Sequence, residues 1–502
     1  MPLSSRFHHI GNALAHSVAP TTWRKSFVLR PTDAVFVPAI KVGIAGSLVL
    51  VAGGLLGHEQ LAGIAALGAL TSAFGRYQPY RRLSLMLIIV ASALLISTGI
   101  GALLGALGAP FSVQILVLSA IAALASHTFS AFHITGPGAV IMVFAAAAGS
   151  GYADSFSAVP RAVAALGIGA AVGWLVAMAP VLAFPMGPAR LAVARAIAAV
   201  VSLGNASHSG MNSGGTSRAV ARTAALAALH TARESVAVSS EHLHSRTVRS
   251  MSFSHHGEQL NLLLDEAYAA LDLVEAPATT AALTLLSHHE AELRKIRGTF
   301  GTTALHSSLP SLSLLPSLSP PADGRTTAPS LLVVARAGLG SRASVHQALR
   351  IAAASALSGW AAAGLGLEHP LWASMGAVAA LQGLNYSFTL QRGIQRMVGN
   401  VVGAALAVAL LGLSLGFWPS VAMVVLFQVL AELLVMKNYT LTTIAVTPMA
   451  LIMTSMGSQL GPEAALSRVA DTLVGVVIGV LVAAISISLA DQHHIATRQP
   501  PH

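Results

Sequence analysis

The sequence lacks cysteine altogether and is poor in charge. None of the 502 residues is Cys, which excludes disulfides, thiolate nucleophiles and cysteine metal ligands. Only 9% of the residues are Asp, Glu, Lys or Arg, whereas 54% are hydrophobic. A soluble protein of this length needs far more polar surface. The composition therefore argues against an ordinary soluble enzyme and predicts an all-α, polytopic membrane protein.

The small number of charges leaves a net charge of +10, which by itself favours nucleic acid as a partner. The basic residues, however, lie beside apolar segments, as the positive-inside rule of membrane proteins requires. We therefore expect membrane lipids as a partner and no nucleic acid.

Twelve apolar segments occur in two sets of six, separated by a polar stretch. The first set is Val35–Leu56, Leu61–Gly75, Leu83–Leu107, Ser112–Ser126, Ile134–Gly149 and Pro160–Phe184. The second set is Ala348–Leu367, Leu371–Asn385, Met397–Leu415, Ser420–Met436, Leu441–Met456 and Val469–Ala490. A spanning helix needs about 20 apolar residues, so full crossing or re-entry of segments 61–75 and 371–385 stays open.

Lys and Arg counts predict the orientation of these segments. One set of connections carries Arg76, Arg81, Arg82, Arg392, Arg396 and Lys437, whereas the opposite set carries only Arg161 and Arg468. Positively charged loops face the cytoplasm, so we expect both termini and the central stretch in the cytoplasm, with the apolar segments in the cell membrane. The predicted organisation is a cytoplasmic N-terminal segment (1–34), a six-helix membrane domain (35–185), a cytoplasmic helical domain with a Pro/Ser-rich linker (186–345), a second six-helix membrane domain (346–490) and a cytoplasmic tail (491–502).

The two sets of six have matching landmarks. The first spans open with Lys41 and Arg350, and the sixth spans open with Arg161 and Arg468. The sixth spans also contain Gly169-x-x-x-Gly173 and Gly475-x-x-x-Gly479, spacings that allow close helix contact. Six spans per half with equal orientation predict a parallel internal repeat, giving about twelve transmembrane helices.

The central region is polar and helical in pattern. The segments Pro188–Leu203, Thr216–His244, Glu258–Glu275 and Pro277–Arg297 are predicted helices, and Ser307–Ser330 is a Pro/Ser/Leu-rich linker. The region has no P-loop and no dinucleotide fingerprint, so ATP-driven transport by this chain is not expected. Histidines such as His242, His244, His288 and His289 read as solvated polar positions, and neither a metal nor another cofactor is expected.

Part of the second half resembles a known family of membrane proteins. The resembling stretches are His369-Pro-Leu-Trp372-Ala, then Arg396-x-x-Gly399-Asn400-x-x-Gly403, and Arg468-Val-Ala-Asp-Thr-Leu-Val-Gly475. They are similar to motifs of the fusaric acid resistance (FUSC) family, which includes aromatic acid exporters. Asn400 stands where threonine is usual. The resemblance implies efflux of small organic or aromatic acids and does not fix the substrate.

Basic and aromatic residues near the segment ends are candidates for substrate binding. Arg392 and Arg396 are four apart and share a helix face, and Arg82 lies at the corresponding inner end of the first half. A cationic vestibule at that end would collect anions, although a topology signal explains the same arginines. Arg468, with Arg161 as its counterpart, would offer an anion a bidentate contact on the exit side. Trp372 is either an interface anchor or a stacking ring.

Three titratable residues are candidates for proton coupling. Glu432 lies inside the tenth segment, where an ionisable group is costly, and Lys437 is close to it in sequence. The alternative to a coupling role is a structural ion pair with a basic residue near the inner interface. Asp471 follows Arg468 by three residues, so an intrahelical ion pair is the alternative to a coupling role. His127, near an inner end, is suited to relay protons near neutral pH.

These observations favour a secondary, proton-coupled efflux transporter for small organic or aromatic acids in a bacterial inner membrane. A passive organic-anion channel and a membrane scaffold for an envelope protein are the alternatives. No cluster of nucleophile, base and metal ligand indicates an enzyme. A homo-oligomer is an open alternative, and the sequence does not name the substrate.

Overall fold

A computed structural model describes the protein over most of its length. The described residues are 19–29, 36–208, 215–241, 248–272, 279–295, 331–382, 386–413, 415–456 and 463–486. Most of the N-terminal segment 1–34, the linker Ser307–Ser330, the tail 491–502, and both His242 and His244 lie outside them. Within the described residues every regular element is a helix, which confirms the predicted helical class.

The first membrane region contains six helices in the predicted order, after a short helix α1 (Pro20–Ser26). They are α2 (Phe36–Leu55), α3 (Glu59–Ala69), α4 (Tyr80–Ala106), α5 (Phe111–Ala131), α6 (Val140–Tyr152) and α7 (Ala158–Met178). Short 3-10 turns, Leu70–Ala73 and Ala179–Leu182, follow α3 and α7. Helix α3, with 11 residues, is only about 16 Å long, so even with its 3-10 turn it falls short of a hydrocarbon core of about 30 Å.

The second membrane region repeats this succession of long and short helices. The short helix α12 (Leu331–Leu339) precedes it. Its helices are α13 (Arg342–Gly364), α14 (Pro370–Ala380), α15 (Tyr386–Gly412), α16 (Phe417–Leu434), α17 (Tyr439–Ser455) and α18 (Glu463–Ile485). Like α3, helix α14 has only 11 residues, and both α4 and α15 have 27.

The central region forms a bundle of four helices. They are α8 (Gly187–His208), α9 (Gly215–Glu241), α10 (Val248–Asp272) and α11 (Thr279–Arg294). Their apolar faces meet in one core, where Ile197 of α8, Leu229 of α9, Leu264 of α10 and Leu286 of α11 are fully buried. The predicted helical bundle is therefore present.

The described residues fall into two compact units. The first, which we call the membrane unit, holds the described residues of Met1–Arg76, Met86–Ala177 and Leu331–His502. The second, the four-helix unit, holds those of Tyr77–Leu85 and Met178–Ser330. Within the four-helix unit the guanidinium carbon of Arg195 lies 3.4 Å from the ring centroid of Tyr77, so the connection before α4 is bound to the bundle.

Eight helices among the described residues are long and apolar enough to cross a membrane. They are α2, α4, α5, α7, α8, α15, α16 and α18. Helix α8 meets this criterion while its apolar face packs against α9, α10 and α11, so burial inside the bundle accounts for its composition. The length and composition of these helices support a membrane-embedded protein. They do not confirm twelve membrane crossings, because α3, α6, α14 and α17 are shorter than a spanning helix.

Glycines bring the short helices into close contact with the last helix of each region. A methyl group on Gly169 or Gly173 of α7 would collide with the carbonyl groups of Ala65 and Ala69 in α3. In the second region a methyl group on Gly475 of α18 would likewise collide with the carbonyl of Ala373 in α14. Small residues thus permit backbone-to-backbone packing, as is common between helices in membranes.

The two membrane regions contact each other reciprocally within the membrane unit. Helix α2, the first of its region, packs on α16, the fourth of the other region. Helix α13, again the first of its region, packs on α5, the fourth of the opposite one. One contact of this second pair is the hydrogen bond between the hydroxyls of Ser119 and Ser355, at 3.0 Å.

Candidate functional site

A face of helix α15 carries polar side chains into the interior of the membrane unit. Arg392, Arg396 and Asn400 follow each other at intervals of four, which places them on one face of the helix. Arg396 is only 9% exposed and Asn400 only 2%. This face contacts α17 and α18, so its polar groups must find their partners there.

Tyr439, at the start of α17, joins the two arginines of that face. The guanidinium carbon of Arg392 lies 4.3 Å from the ring centroid of Tyr439, a cation–π contact. Arg396 donates from Nη1 to the Tyr439 hydroxyl at 3.2 Å. Arg392 also donates from Nη2 to Oε1 of Gln382 at 3.1 Å, which ties it to the end of α14. Neither arginine makes an ion pair with a carboxylate among the described residues.

Asn400 bridges three helices, although its departure from the family pattern had given it no role. Its Nδ2 donates to the hydroxyl of Thr472 on α18, and its Oδ1 accepts from the hydroxyl of Thr447 on α17. An amide presents both a donor and an acceptor, so it satisfies both threonines at once. Asn400 thereby fixes the spacing of α15, α17 and α18 around the buried arginine.

Arg468 of α18 lies against the aromatic pair Trp372 and His369. Its guanidinium carbon is 4.9 Å from the ring centroid of Trp372. That indole stacks on the imidazole of His369, with centroids 4.3 Å apart and an interplanar angle of 10°. Arg468 is 7% exposed and its Nε has no hydrogen-bond partner among the described residues. Trp372 is buried and already stacked, so its position suits it to hold Arg468.

Asp471 lies one turn further along α18 and does not form the intrahelical ion pair that was the alternative to coupling. It is fully buried, and Oδ1 has no hydrogen-bond partner in the described part of the chain. Oδ2 accepts a hydrogen bond from the Ser467 hydroxyl at 3.3 Å. Arg468 is close enough to act on this carboxylate electrostatically, but their charged atoms are not within ion-pair distance.

The sum of these charges is positive. Arg396 and Arg468 lie within electrostatic range of each other, and Asp471 is the carboxylate that acts on Arg468. In sequence the two arginines had been assigned to opposite ends of a pathway, whereas the antiparallel packing of α15 on α18 brings them to one site. The two buried guanidiniums have Nε groups without hydrogen-bond partners among the described residues. Because an unpaired charge away from water is costly, a bound anion would stabilise them. We call Arg396, Arg468, Asp471 and Trp372 the arginine site.

Glu432 is accommodated differently from Asp471. It pairs with Arg76, from the connection after α3, and Lys41 of α2 acts on it electrostatically. The basic partner is thus Arg76 of the first region, whereas the sequence had pointed to Lys437. Because α16 and α2 pack together, this ion pair joins the two membrane regions.

The remaining candidate residues lie apart from the arginine site. Arg82 pairs with Glu234 inside the four-helix unit. Arg161 is exposed and donates from Nε to the backbone carbonyl of Ser157 at 3.1 Å, within its own helix turn. His127 of α5 shares a hydrogen bond of 2.9 Å with Ser344 of α13.

A cavity of about 100 Å³ lies between α3, α6 and α17. Its polar lining comes from Gln60, Tyr152 and Thr454, and no arginine lines it. The volume holds a few water molecules. No sequence motif pointed to this place, because the three helices contribute one polar group each.

The apolar helices and buried charges indicate a membrane protein, and comparison with known proteins finds a similarity in its second region. Residues 353–482, which extend from α13 to α18, match the family model described as "Fusaric acid resistance protein-like". The resemblance seen in the motifs is therefore confirmed for the region that contains the arginine site.

A curated relative extends the similarity over most of the chain. The protein is 27% identical over 476 residues to "Uncharacterized membrane protein YvaC" of Bacillus subtilis (strain 168). The alignment covers 88% of this chain and 71% of the relative. No solved structure matches.

Proposed function

We propose that the protein is a secondary transporter that moves small organic or aromatic acids, as anions, out of the cell. The observation that carries this proposal is the arginine site, where Arg396 and Arg468 are buried without an ion-pair partner among the described residues. A guanidinium is a planar, always charged donor that suits a carboxylate. The family match of this region is with fusaric acid resistance-like proteins, whose name points to organic acids.

Trp372 has a positioning role in this proposal. Its ring already contacts the imidazole of His369 and the guanidinium of Arg468, and these contacts leave little of the ring for a substrate to stack on. It holds Arg468 in one orientation. We therefore propose that the guanidinium groups recognise the acid group of the substrate and that Trp372 does not bind an aromatic ring of the substrate.

The proposed architecture is a parallel repeat of two six-helix halves with both termini in the cytoplasm. The two halves can be aligned by two pairs of residues that have the same separation in sequence. One pair is Tyr80 and Tyr386, the first residues of α4 and α15, and the other is Gly169 and Gly475. The reciprocal packing of first on fourth helices supports the repeat. In that register Arg396, Asn400 and Thr472 correspond to Val90, Leu94 and Leu166, which are all fully buried.

The same register accounts for the different surroundings of Arg161 and Arg468. Arg468 corresponds to Ala162, so Arg161 is one position out of step. One residue turns a side chain by about 100° around a helix, since a turn holds 3.6 residues. Arg161 consequently faces outward while Ala162 is buried. The arginine site is thus built in the second half alone.

Binding and flux of named anions test this function. Purified full-length protein would be titrated with benzenesulfonate and citrate, and reconstituted into liposomes for tracer flux. We expect Arg396→Gln and Arg468→Gln each to weaken binding about tenfold or more, the size of losing a charged hydrogen bond. Arg161→Gln, a matched change at an exposed arginine, is expected to leave binding unchanged.

The same measurements separate the alternative functions. Saturable exchange of anion for anion supports a transporter. Flux that follows voltage and shows no such exchange indicates a passive channel. Absence of both binding and flux, or unchanged binding in the two glutamine variants, contradicts the proposal and favours a scaffold role.

A further inference from the structure

A chain of hydrogen bonds leads from the surface of the membrane unit to the buried carboxylate of the arginine site. His369, which precedes α14, has a side chain that is 31% exposed, and its neighbour Glu368 is 73% exposed. Nδ1 of His369 lies 3.2 Å from the Ser467 hydroxyl. That hydroxyl donates to Oδ2 of Asp471 at 3.3 Å. Imidazole, hydroxyl and carboxylate therefore stand in one hydrogen-bonded line.

We propose that His369, Ser467 and Asp471 form a proton path into the arginine site, and that a proton on Asp471 strengthens anion binding there. The proposal rests on the proposed function and names its coupling residues. Of the carboxylates nominated from the sequence, Asp471 has this role, since Glu432 is already held by Arg76.

The proton transfer balances along this path. An imidazolium at His369 releases its Nδ1 proton to the Ser467 oxygen while the serine proton passes to Oδ2 of Asp471. His369 is left neutral with its proton on Nε2, and Asp471 becomes a neutral acid. Burial lowers the pKa of His369; Glu368 opposes that shift, whereas Arg468 adds to it. A histidine with a lowered pKa gives up its proton readily once it has taken one from water.

The sign of the coupling follows from the charges around Asp471. Those acting on it are Arg468 from its own helix and Glu368 from the segment before α14, while Arg396 of α15 acts on Arg468. An ionised Asp471 offsets part of the positive charge that would attract an anion. Protonation removes this competing charge and leaves Arg396 and Arg468 to the ligand. Proton and anion consequently favour each other's binding, and the effect is reciprocal. Export by this route therefore carries proton and anion out together and is driven by a high concentration of the anion inside the cell.

The first arm of the test is the pH dependence of binding in full-length protein. Benzenesulfonate is a suitable probe because its charge does not change with pH in the working range. We expect its affinity to rise on acidification by a factor of about 5 to 150, the usual size of coupling between sites. Asp471→Asn should bind tightly at every pH, and Asp154→Asn, an exposed acid, should behave like the unaltered protein. An affinity that is flat or falls on acidification overturns the proposal.

The second arm tests the path itself in liposomes. Ser467→Ala removes the hydroxyl without adding bulk, so we expect net benzenesulfonate flux driven by a pH gradient to fall about tenfold or more. Exchange of anion for anion needs no net proton movement and should stay near normal, which also shows that the variant is folded. Ser467→Thr restores the hydroxyl and should recover the flux, and Ser486→Ala, directly after the end of the same helix, is the control.

The outcomes distinguish this inference from the proposed function. Normal pH-driven flux in Ser467→Ala contradicts the path while leaving the arginine site intact. If benzenesulfonate neither binds nor moves, and citrate likewise, the proposed function and the path fail together.

Discussion

At the scale of single residues, the sequence identified the chemistry of the site better than its geometry. Asp471 was recognisable because an ionisable group inside an apolar segment is costly, and Arg396 and Arg468 were recognisable as arginines at segment ends that suit an anion. Their convergence was not recognisable, since it depends on how α15 packs against α18. Asn400 was noticed as a departure from the family motif but received no role, because one sequence cannot show that an amide bridges Thr447 and Thr472. Burial and partners arise from tertiary packing, which a local pattern does not contain.

His289 in the four-helix unit gives a prediction at the same scale. It is 6% exposed, and its Nδ1 has no hydrogen-bond partner among the described residues. Burial lowers the pKa of His289, and the charge of the neighbouring His288 lowers it further. A lowered pKa in the fold means that the unfolded state takes up the proton first as pH falls below about 6.5. The bundle should therefore lose stability on acidification below that point and recover it above.

Hydrogen exchange of α11 in the full-length protein, corrected for intrinsic rates, measures this effect. Protection should be lower at pH 5.5 than at pH 7.5. His289→Gln should remove most of the difference, whereas His288→Gln, at an exposed position, should retain it. Equal protection at both pH values in the unaltered protein would contradict the assignment.

At the scale of elements, each of the twelve apolar runs corresponds to a helix, although α3, α6, α14 and α17 are shorter than a spanning helix, and the boundaries moved by several residues. The largest extension is at α15, which begins at Tyr386 where the apolar run begins at Met397. Its first turns carry Gln391, Arg392 and Gln395, so hydropathy alone excluded a stretch that is helical. The same polar turns carry the groups that reach Gln382 and Tyr439.

Gly475 allows a prediction about helix contact. A methyl group there meets the carbonyl of Ala373, while one on Gly412 of α15 meets nothing within 4 Å. Forcing extra volume into a tight contact costs about 1–3 kcal/mol. We expect Gly475→Ala to lower the melting temperature of the detergent-solubilised protein by a few degrees. Gly412→Ala should leave it the same or raise it, because alanine favours a helix. Equal melting behaviour of the two variants would show that α14 and α18 are not tightly joined.

At the scale of the whole molecule, the alternation of charge between loops predicted an orientation that depends on two short helices. If α3 crosses the membrane, the connections before it and after α4 lie on the same side. If α3 re-enters instead, they lie on opposite sides. The same reasoning applies to α14 with the connections that precede it and follow α15.

The absence of cysteine makes this measurable with single substitutions. Leu56→Cys and Leu107→Cys lie in exposed connections on either side of α3 and α4, and Leu365→Cys and Leu413→Cys flank α14 and α15. With twelve crossings, all four should react with an impermeant maleimide added outside intact cells. Met436→Cys, one crossing further on, should react only after the membrane is opened. Labelling of one member of a pair alone would reveal re-entry of the short helix between them.

Under the proposed function, the difference between the two halves has a consequence for the route of the solute. A pore on the axis between two equal halves would be lined by matching groups from both halves. In the proposed register the charged groups of the arginine site belong to the second half, while the buried residues Val90, Leu94 and Leu166 of the first half correspond to Arg396, Asn400 and Thr472. If the chain descends from a duplicated ancestor, one half has kept the binding site and the other half supports it structurally. Substitutions that abolish transport should then cluster in one half, and those that merely loosen the scaffold in the other.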